Sequence, residues 1–173
     1  GLWRGGDVGL IDGIVIDGRL IKKGDMSGPK SALMVLQNPT VDTAVFEVAR
    51  GGILREGLGY DRNDVAVVTN VTGDHLGLGG IESIGQLANV KGVVVEAVPR
   101  SGSAVLNADD DGSSTLRPHG QLIRFSLKRR VDGAYLDADT LVLERGGRRQ
   151  VICERADLRA PGLHNVANVL TAC

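Results

Sequence analysis

The hydrophobic pattern of this chain alternates between short apolar runs and stretches with helical periodicity. Residues 13–21 read GIVIDGRLI, an alternating run interrupted by Asp17-Gly18, which predicts a β-hairpin. Residues 42–48 contain the run AVFEV and residues 65–68 are VAVV, and both are predicted to be buried strands. Residues 103–107, SAVLN, predict a further strand.

Two helices are predicted between these strands. Residues 28–37 form a short amphipathic stretch, with Ser27 as its candidate cap and Asn38-Pro39 as its stop. A longer helix starts at Ile84, with apolar residues at positions 84, 87, 88, 95 and 98. Because strands alternate with helices, we expect a mostly parallel sheet flanked by helices.

The pattern changes after the acidic turn at residues 109–111. Residues 121–155 contain several short strands with polar turns, which predicts a small antiparallel β-sheet appended to the main sheet. Residues 156–173 begin another helix. The predicted fold is therefore α/β, with residues 1–120 as its main part.

Composition limits the classes of partner. The 173 residues carry a net charge of -1, so we expect no nucleic-acid partner and no anionic membrane partner. No apolar run approaches the roughly 20 residues that span a bilayer, no signal-peptide segment is recognisable, and the two cysteines have no CxxC spacing. These features predict a soluble, cytoplasmic protein.

Candidate functional residues follow the strand at 65–68. Asn70, Asp74 and His75 come after its carboxyl end, where ligands bind in open α/β sheets. Lys91 lies inside the apolar stripe of the next helix. A lysine that faces a core must be neutralised, paired or modified; the alternative is an edge lysine whose ammonium reaches water, which periodicity alone favours.

Glu47, His75 and Lys91 come from three successive elements whose ends are expected to converge. A carboxylate and a histidine can bind Mg²⁺, whereas a lysine ammonium has no lone pair. Carbamylation by CO₂ would convert Lys91 into an anionic oxygen ligand. Each residue alone has an ordinary structural explanation, but their joint placement favours a metal site.

Several motifs carry a family resemblance. The segments TNVTGDHL and GLHNVANVLTA, together with Lys91, resemble the central ATPase domain of the Mur ligase superfamily. Residues 24–61, which include ARGGILR, resemble its cyanophycin synthetase branch. The resemblance implies that Glu47 and His75 hold Mg²⁺, that Lys91 is carbamylated, and that ATP is bound. It places His164 and Asn165 by the adenine, assigns Asn168 to the same motif, and makes Asn70 a cofactor-binding candidate.

The resemblance implies amide-bond formation driven by ATP. An aspartate side chain of a growing polymer would form an acyl phosphate, and the amino group of arginine would displace the phosphate. Arg50 and Arg55 are candidates for binding the acidic substrate, although arginines in flexible loops are more often solvated. The expected partners are small amino acids and the polymer, with a possible homo-oligomer in a full-length enzyme.

The sequence also departs from the family. The phosphate-binding loop, G-x-x-G-K-T, is absent from these residues. This suggests a fragment that is inactive alone. Two alternatives remain: another Mur or folylpolyglutamate-type ligase, or a degenerate nucleotide-binding or scaffold protein without catalysis. A metallohydrolase with a carbamylated lysine is less favoured because the three histidines are widely spaced.

Overall fold

The computed structural model describes residues 6–7, 13–73, 76–77, 79–160 and 162–173. The chain divides into two compact units, Gly1–Asp61 and Arg62–Cys173. Within the described part of the chain, no helix is long and apolar enough to cross a membrane.

The first unit contains two small two-stranded sheets and two helices. Strands β2 and β3 form the predicted hairpin, and Asp17 (φ 50°) and Gly18 (φ 73°) supply the two positive φ angles that a type I′ turn needs. Strands β1 and β4 pair in parallel. The bounds are β1 (Gly6–Asp7), β2 (Gly13–Ile16), β3 (Arg19–Lys23), α1 (Pro29–Leu36), β4 (Ala44–Val45) and α2 (Arg50–Glu56).

Two sequence predictions in this unit were wrong. The expected buried strand at 42–48 is only the two-residue β4, and Val45 is 52% exposed because its single described neighbour is the equally short β1. The cap of α1 is Gly28 rather than Ser27. The amide and hydroxyl of Ser27 instead donate to Asp25 Oδ1, at 3.1 and 2.6 Å.

The second unit is built on one six-stranded sheet with the order β10-β9-β8-β7-β6-β5. Strands β5 to β8 are parallel to one another, and β9 and β10 extend the sheet by antiparallel pairing. The bounds are β5 (Val65–Val68), β6 (Ser103–Asn107), β7 (Gln121–Ser126), β8 (Gly133–Asp137), β9 (Thr140–Arg145) and β10 (Arg148–Glu154).

The predicted α/β class is confirmed, with one difference in where the antiparallel part begins. Strand β7, expected to open the appended sheet, pairs in parallel with both β6 and β8. The antiparallel pairing starts at Gly133, in β8. Alternation of polar and apolar residues marks strands in this region but does not fix their direction.

The predicted buried strand at 65–68 is only half buried. Strand β5 lies at the edge of the sheet, and its residues alternate between exposed and buried, with Val65 57% exposed. Helix α3 (Ile84–Glu96) packs on one face of β5, where Val68 joins Leu87 and Leu106 in the core. The cap of α3 is Ser83, which forms a capping box with Gln86.

Two further helices and a 3₁₀ turn belong to the described part of this unit. They are α4 (Asp111–Ser114), a 3₁₀ turn (Arg155–Asp157) and α5 (Leu163–Ala172). Val166 and Leu170 of α5 pack with Phe125 and Leu141 in a second core cluster. Helix α5 is thereby fixed against the sheet by one face.

A small cluster around the buried Glu144 lies on the antiparallel part of the sheet. Glu144 is 8% exposed and accepts from Arg130 Nε and from the Tyr135 hydroxyl, each at 2.9 Å. Arg130 Nη2 also pairs with Glu144 Oε1. The hydrogen bonds from Arg130 and then Tyr135 lower the pKa of Glu144, so the carboxylate is held in its charged form.

Candidate functional site

The carboxyl end of β5 leads into the segment in which the sequence predicts the functional residues Asn70, Asp74 and His75. Asn70 lies two residues beyond the strand and is exposed. Asp74 and His75, further along the same segment, lie outside the described residues. The predicted role of His75 as a metal ligand therefore stays a prediction.

Lys91 reaches this strand end from helix α3. Its Nζ atom donates to the carbonyl oxygen of Asn70 at 2.8 Å, and the residue is half buried. Leu87, Ala88 and Val95 are buried and hold α3 against the sheet. The lysine amine is thus paired with a backbone carbonyl at the rim of the sheet, and its role as a metal ligand stays a prediction.

Two side chains, one from the last residue of β6 and one from the loop that follows, hold the backbone on either side of Asn70. Asn107 Nδ2 donates to the carbonyl oxygen of Thr69 at 2.8 Å. Asp110 Oδ2 accepts from the Val71 amide at 3.0 Å and from the Ser113 amide at 2.7 Å. The second of these hydrogen bonds caps α4. Sequence analysis gave neither residue a role.

Asp109 makes the equivalent connection to the next strand. Its carboxylate accepts from Ser126 Oγ and from the Leu127 amide, each at 2.6 Å. We call Asn107, Asp109 and Asp110 the strand-end bridge, because together they tie the carboxyl ends of β5, β6 and β7. The acidic turn was visible in the sequence, but the strand that each carboxylate contacts depends on the order of the sheet.

Glu47 lies in the first unit, two residues beyond β4, and is exposed. It lines a cavity of about 10 Å³ together with Met26, Pro29 and Tyr60. Phe46 stacks on Tyr60 with 5.7 Å between ring centroids, and burial raises the pKa of the Tyr60 phenol. The cavity is about as large as one water molecule needs, so it is too small for a nucleotide or an amino acid.

Arg50 and Arg55 lie on helix α2, so the expectation of flexible-loop arginines was wrong. Arg50 is the first residue of the helix and half buried, whereas Arg55 is exposed in its last turn. With 3.6 residues per turn, side chains five residues apart point about 140° away from each other. The two arginines therefore do not share one face of the helix.

The predicted nucleotide motif lies on α5. His164, Asn165 and Asn168 fall within about 100° of the helix circumference, opposite the buried Val166 and Leu170. His164 and Asn168 are exposed and Asn165 is half buried. The three side chains thus form a polar face directed away from the core.

The close packing of His164 depends on Gly162. A Cβ atom at Gly162 would lie 2.8 Å from His164 Cε1, so the imidazole packs directly on the glycine backbone. The positive φ of Gly162, 102°, is also one that other residues rarely adopt. The glycine before α5 therefore helps to set the position of the imidazole.

Within the described residues, no three or more His, Cys, Asp or Glu side chains cluster as a metal site would require. The predicted set contains His75, which is not described, and a lysine. The metal site therefore remains a prediction.

The sequence matches the Mur ligase middle domain family over residues 18–173, which is most of the chain. The chain belongs to this family. The resemblance seen in the motifs is thereby confirmed.

Two curated relatives of this Mur ligase domain are cyanophycin synthetases. The protein from Trichormus variabilis is 41% identical over 181 residues, covering 93% of the chain and 20% of the relative. The protein from Crocosphaera subtropica is 60% identical over 99 residues, covering 57% of the chain and 11% of the relative. The chain thus spans about a tenth to a fifth of the length of these relatives.

Solved structures show the same fold. A bifunctional folylpolyglutamate synthase/dihydrofolate synthase, determined with Mn, AMPPNP and L-glutamate bound, superposes with a TM-score of 0.60 at 19% identity. The superposition covers 98% of the chain and 45% of that protein. At this identity the similarity establishes the fold alone.

In this Mur ligase domain the structure joins some of the predicted site residues. Lys91 contacts the backbone of Asn70, and His164, Asn165 and Asn168 share a helix face. The roles assigned to all of them, and to Glu47, Arg50 and Arg55, remain predictions.

Proposed function

We propose that the chain is the central part of an ATP-dependent amide ligase of the cyanophycin synthetase type. The observation that carries this proposal is the Lys91 amine, fixed 2.8 Å from the Asn70 carbonyl at the carboxyl end of a parallel strand. Ligands of open α/β sheets bind at this edge. Family membership and the similarity to curated cyanophycin synthetases support it.

The proposed reaction has two steps. The carboxylate of an aspartate side chain on the polymer attacks the γ-phosphorus of ATP, which gives an acyl phosphate and releases ADP. The amino group of arginine then attacks the acyl carbon and displaces phosphate. Charge neutralisation and positioning dominate catalysis of phosphoryl transfer.

The donor chemistry of the candidate residues fits Mg²⁺ on one condition. Glu47 offers carboxylate oxygens and His75 a ring nitrogen, but Lys91 can serve only as a carbamate. Its amine lies at the carboxyl end of β5, the edge of the sheet where ligands bind. Bound Mg²⁺ would supply charge neutralisation at the phosphates.

We assign nucleotide binding to α5. His164, Asn165 and Asn168 present donors and acceptors from one helix face, and side-chain amides can form paired hydrogen bonds with an adenine edge. Asn70 would contribute at the end of β5. Arg50 and Arg55 remain candidates for the acidic substrate, acting separately because they lie on different faces of α2.

The proposal is tested by substrate profiling of a hybrid enzyme. In this hybrid, the chain replaces the matching segment of the Trichormus variabilis cyanophycin synthetase. We expect ATP-dependent incorporation of arginine onto an aspartate polymer. Preference for a muramoyl-peptide or folate substrate would support another ligase of the superfamily.

The non-catalytic alternative predicts a different result. A hybrid that folds and binds ATP without dependence on Mg²⁺, and that incorporates no amino acid, would identify a scaffold domain. Equilibrium dialysis with ATP, with and without Mg²⁺, measures this directly. We expect Mg²⁺ to strengthen ATP binding by the hybrid.

A further inference from the structure

The end of β6 and the loop that follows it hold the backbone segment whose carbonyl group accepts a hydrogen bond from the Lys91 amine. Three successive backbone groups at the end of β5 are each held by a side chain from elsewhere in the unit. Asn107 binds the Thr69 carbonyl, Lys91 binds the Asn70 carbonyl, and Asp110 binds the Val71 amide. The carbonyl that accepts from Lys91 therefore belongs to the peptide group whose amide is held by Asp110, and the preceding peptide group is held by Asn107.

Close packing at Gly112 supports the same arrangement independently. A Cβ atom at Gly112 would lie 2.6 Å from Val71 Cβ and 3.3 Å from Ile84 Cγ2. Helix α4 thus lies directly on Val71, which is 2% exposed, and on the first residue of α3. Only a residue without a side chain permits this approach.

We propose that Asn107 and Asp110 are positioning residues for Lys91. They act through the 69–71 backbone and fix the location of the lysine amine at the rim of the sheet. The inference deepens the proposed function, because Lys91 is the lysine assigned to the metal site there. The geometric claim itself does not depend on ligase activity.

Asn107 and Asp110 allow variants that separate single contacts. Asn107→Asp keeps an oxygen to accept from the Asp109 amide, now at 2.8 Å, but cannot donate to the Thr69 carbonyl. Asp110→Ala removes the acceptor for the Val71 amide. Asp110→Asn keeps one oxygen there and is an equally good helix cap.

Asp109 provides the matched control. It lies in the same loop as Asp110 and accepts two hydrogen bonds of 2.6 Å each, but their donors lie at the end of β7 rather than of β5. Asp109→Asn replaces one acceptor oxygen by an amide group and so loses one of those contacts. General loosening of the loop would affect all variants alike, whereas the proposal separates them.

Two measurements on the full 173-residue chain test the proposal. Hydrogen exchange reports protection of the Val71 amide. Acetylation of Lys91, followed by peptide mass spectrometry in CO₂-free buffer, reports the environment of its amine, with the exposed Lys128 as the internal reference.

We expect Asp110→Ala to accelerate exchange of the Val71 amide by about fivefold to tenfold, the effect of losing one hydrogen bond. Asp110→Ala and Asn107→Asp should both increase acetylation of Lys91 relative to Lys128 by at least about twofold, since their backbone anchor is worth about one hydrogen bond. Asp110→Asn should restore both values, and Asp109→Asn should leave both unchanged.

Unchanged acetylation of Lys91 in both Asp110→Ala and Asn107→Asp would overturn the proposal. An equal increase in Asp109→Asn would also overturn it, because the effect would then be general loosening. If Asp110→Ala does not fold, Asn107→Asp against Asp109→Asn decides alone. Failure of the ligase assay would leave these results standing, so the two proposals fail separately.

Discussion

Lys91 shows what can and cannot be read from a single position in the sequence. Its place inside an apolar helical stripe marked it as unusual, and periodicity alone favoured a lysine that reaches water. The structure pairs its Nζ atom with the Asn70 carbonyl. That contact joins residues 21 apart in the chain, and it depends on α3 packing over β5, which the local pattern could not specify.

The strand-end bridge illustrates the opposite case. Asp109 and Asp110 were visible as an acidic turn and Asn107 as the end of a predicted strand, yet their partners lie at the ends of β5 and β7. Which strand each side chain reaches depends on the order of strands in the sheet. Local spacing carries no information about that order.

Replacement of Lys91 tests its proposed chemical role. In the hybrid ligase we expect Lys91→Ala to lower the rate of arginine incorporation by at least about 100-fold. Loss of a residue that only supports a metal ligand already lowers activity by about 10-fold to 100-fold, and Lys91 is proposed as a ligand itself. Added short carboxylates should restore part of the rate by replacing the carbamate. Lys91→Arg, which keeps the charge but cannot carry a carbamate, should fail as well.

The Glu144 cluster gives a prediction for pH dependence. Hydrogen bonds from Arg130 and Tyr135 lower the folded-state pKa of Glu144. The contribution of Glu144 to the free energy of unfolding is therefore complete above the unfolded-state pKa of about 4.3. It is lost as the pH falls through the lower folded-state pKa.

We expect the urea midpoint of the wild-type chain to fall more steeply between about pH 5 and pH 3 than that of Glu144→Gln. Glu96→Gln, at an exposed position of α3, serves as the control and should retain the wild-type slope. A slope in Glu144→Gln equal to the wild type would mean that other carboxylates govern acid unfolding.

At the scale of elements, the sequence predicted best where local chemistry decides. The Asp17-Gly18 hairpin and the long helix from Ile84 were both correct. The strand expected at 42–48 was wrong, since a strand also needs partners to pair with. The direction of β7 was missed for the same reason, because pairing is a property of two strands.

Gly133 is the first residue of β8, the strand that pairs in parallel with β7 and antiparallel with β9. A Cβ atom there would lie 1.8 Å from the Arg124 carbonyl oxygen, on the neighbouring strand β7. We expect Gly133→Ala to lower the free energy of unfolding by at least about 3 kcal/mol, as for a severe overpacking clash. Chemical denaturation of the chain measures the change.

Gly146→Ala is the matched control for this prediction. The φ angles of Gly133 and Gly146 are both positive, 159° and 56°. A Cβ atom at Gly146, however, would meet no atom within 4 Å. We expect a cost of only about 1–2 kcal/mol, from the left-handed conformation alone. Equal costs for the two variants would show that close approach of the strands is not what requires Gly133.

At the scale of the molecule, the motifs led to the correct family, whereas the assembled site could not be derived. The Mur ligase middle domain match extends over residues 18–173. The predicted metal ligands are widely separated in the sequence, and local patterns do not decide whether they converge. The roles of Glu47, His75 and Lys91 therefore rest on donor chemistry and on the resemblance.

The isolated chain provides a prediction at this scale. Because the G-x-x-G-K-T loop is absent from these 173 residues, we propose that they do not complete the reaction by themselves. Purified chain with ATP, Mg²⁺, arginine and an aspartate primer should release phosphate at the blank rate. Release well above the blank would show that the phosphates are bound in another way.

The most direct test of the central claim is arginine-dependent phosphate release by the hybrid ligase, measured for the wild-type chain and for Lys91→Ala side by side. The account predicts one phosphate per arginine incorporated for the wild type and almost none for the variant. Equal rates for the two would contradict it, because Lys91 would then have no part in the reaction.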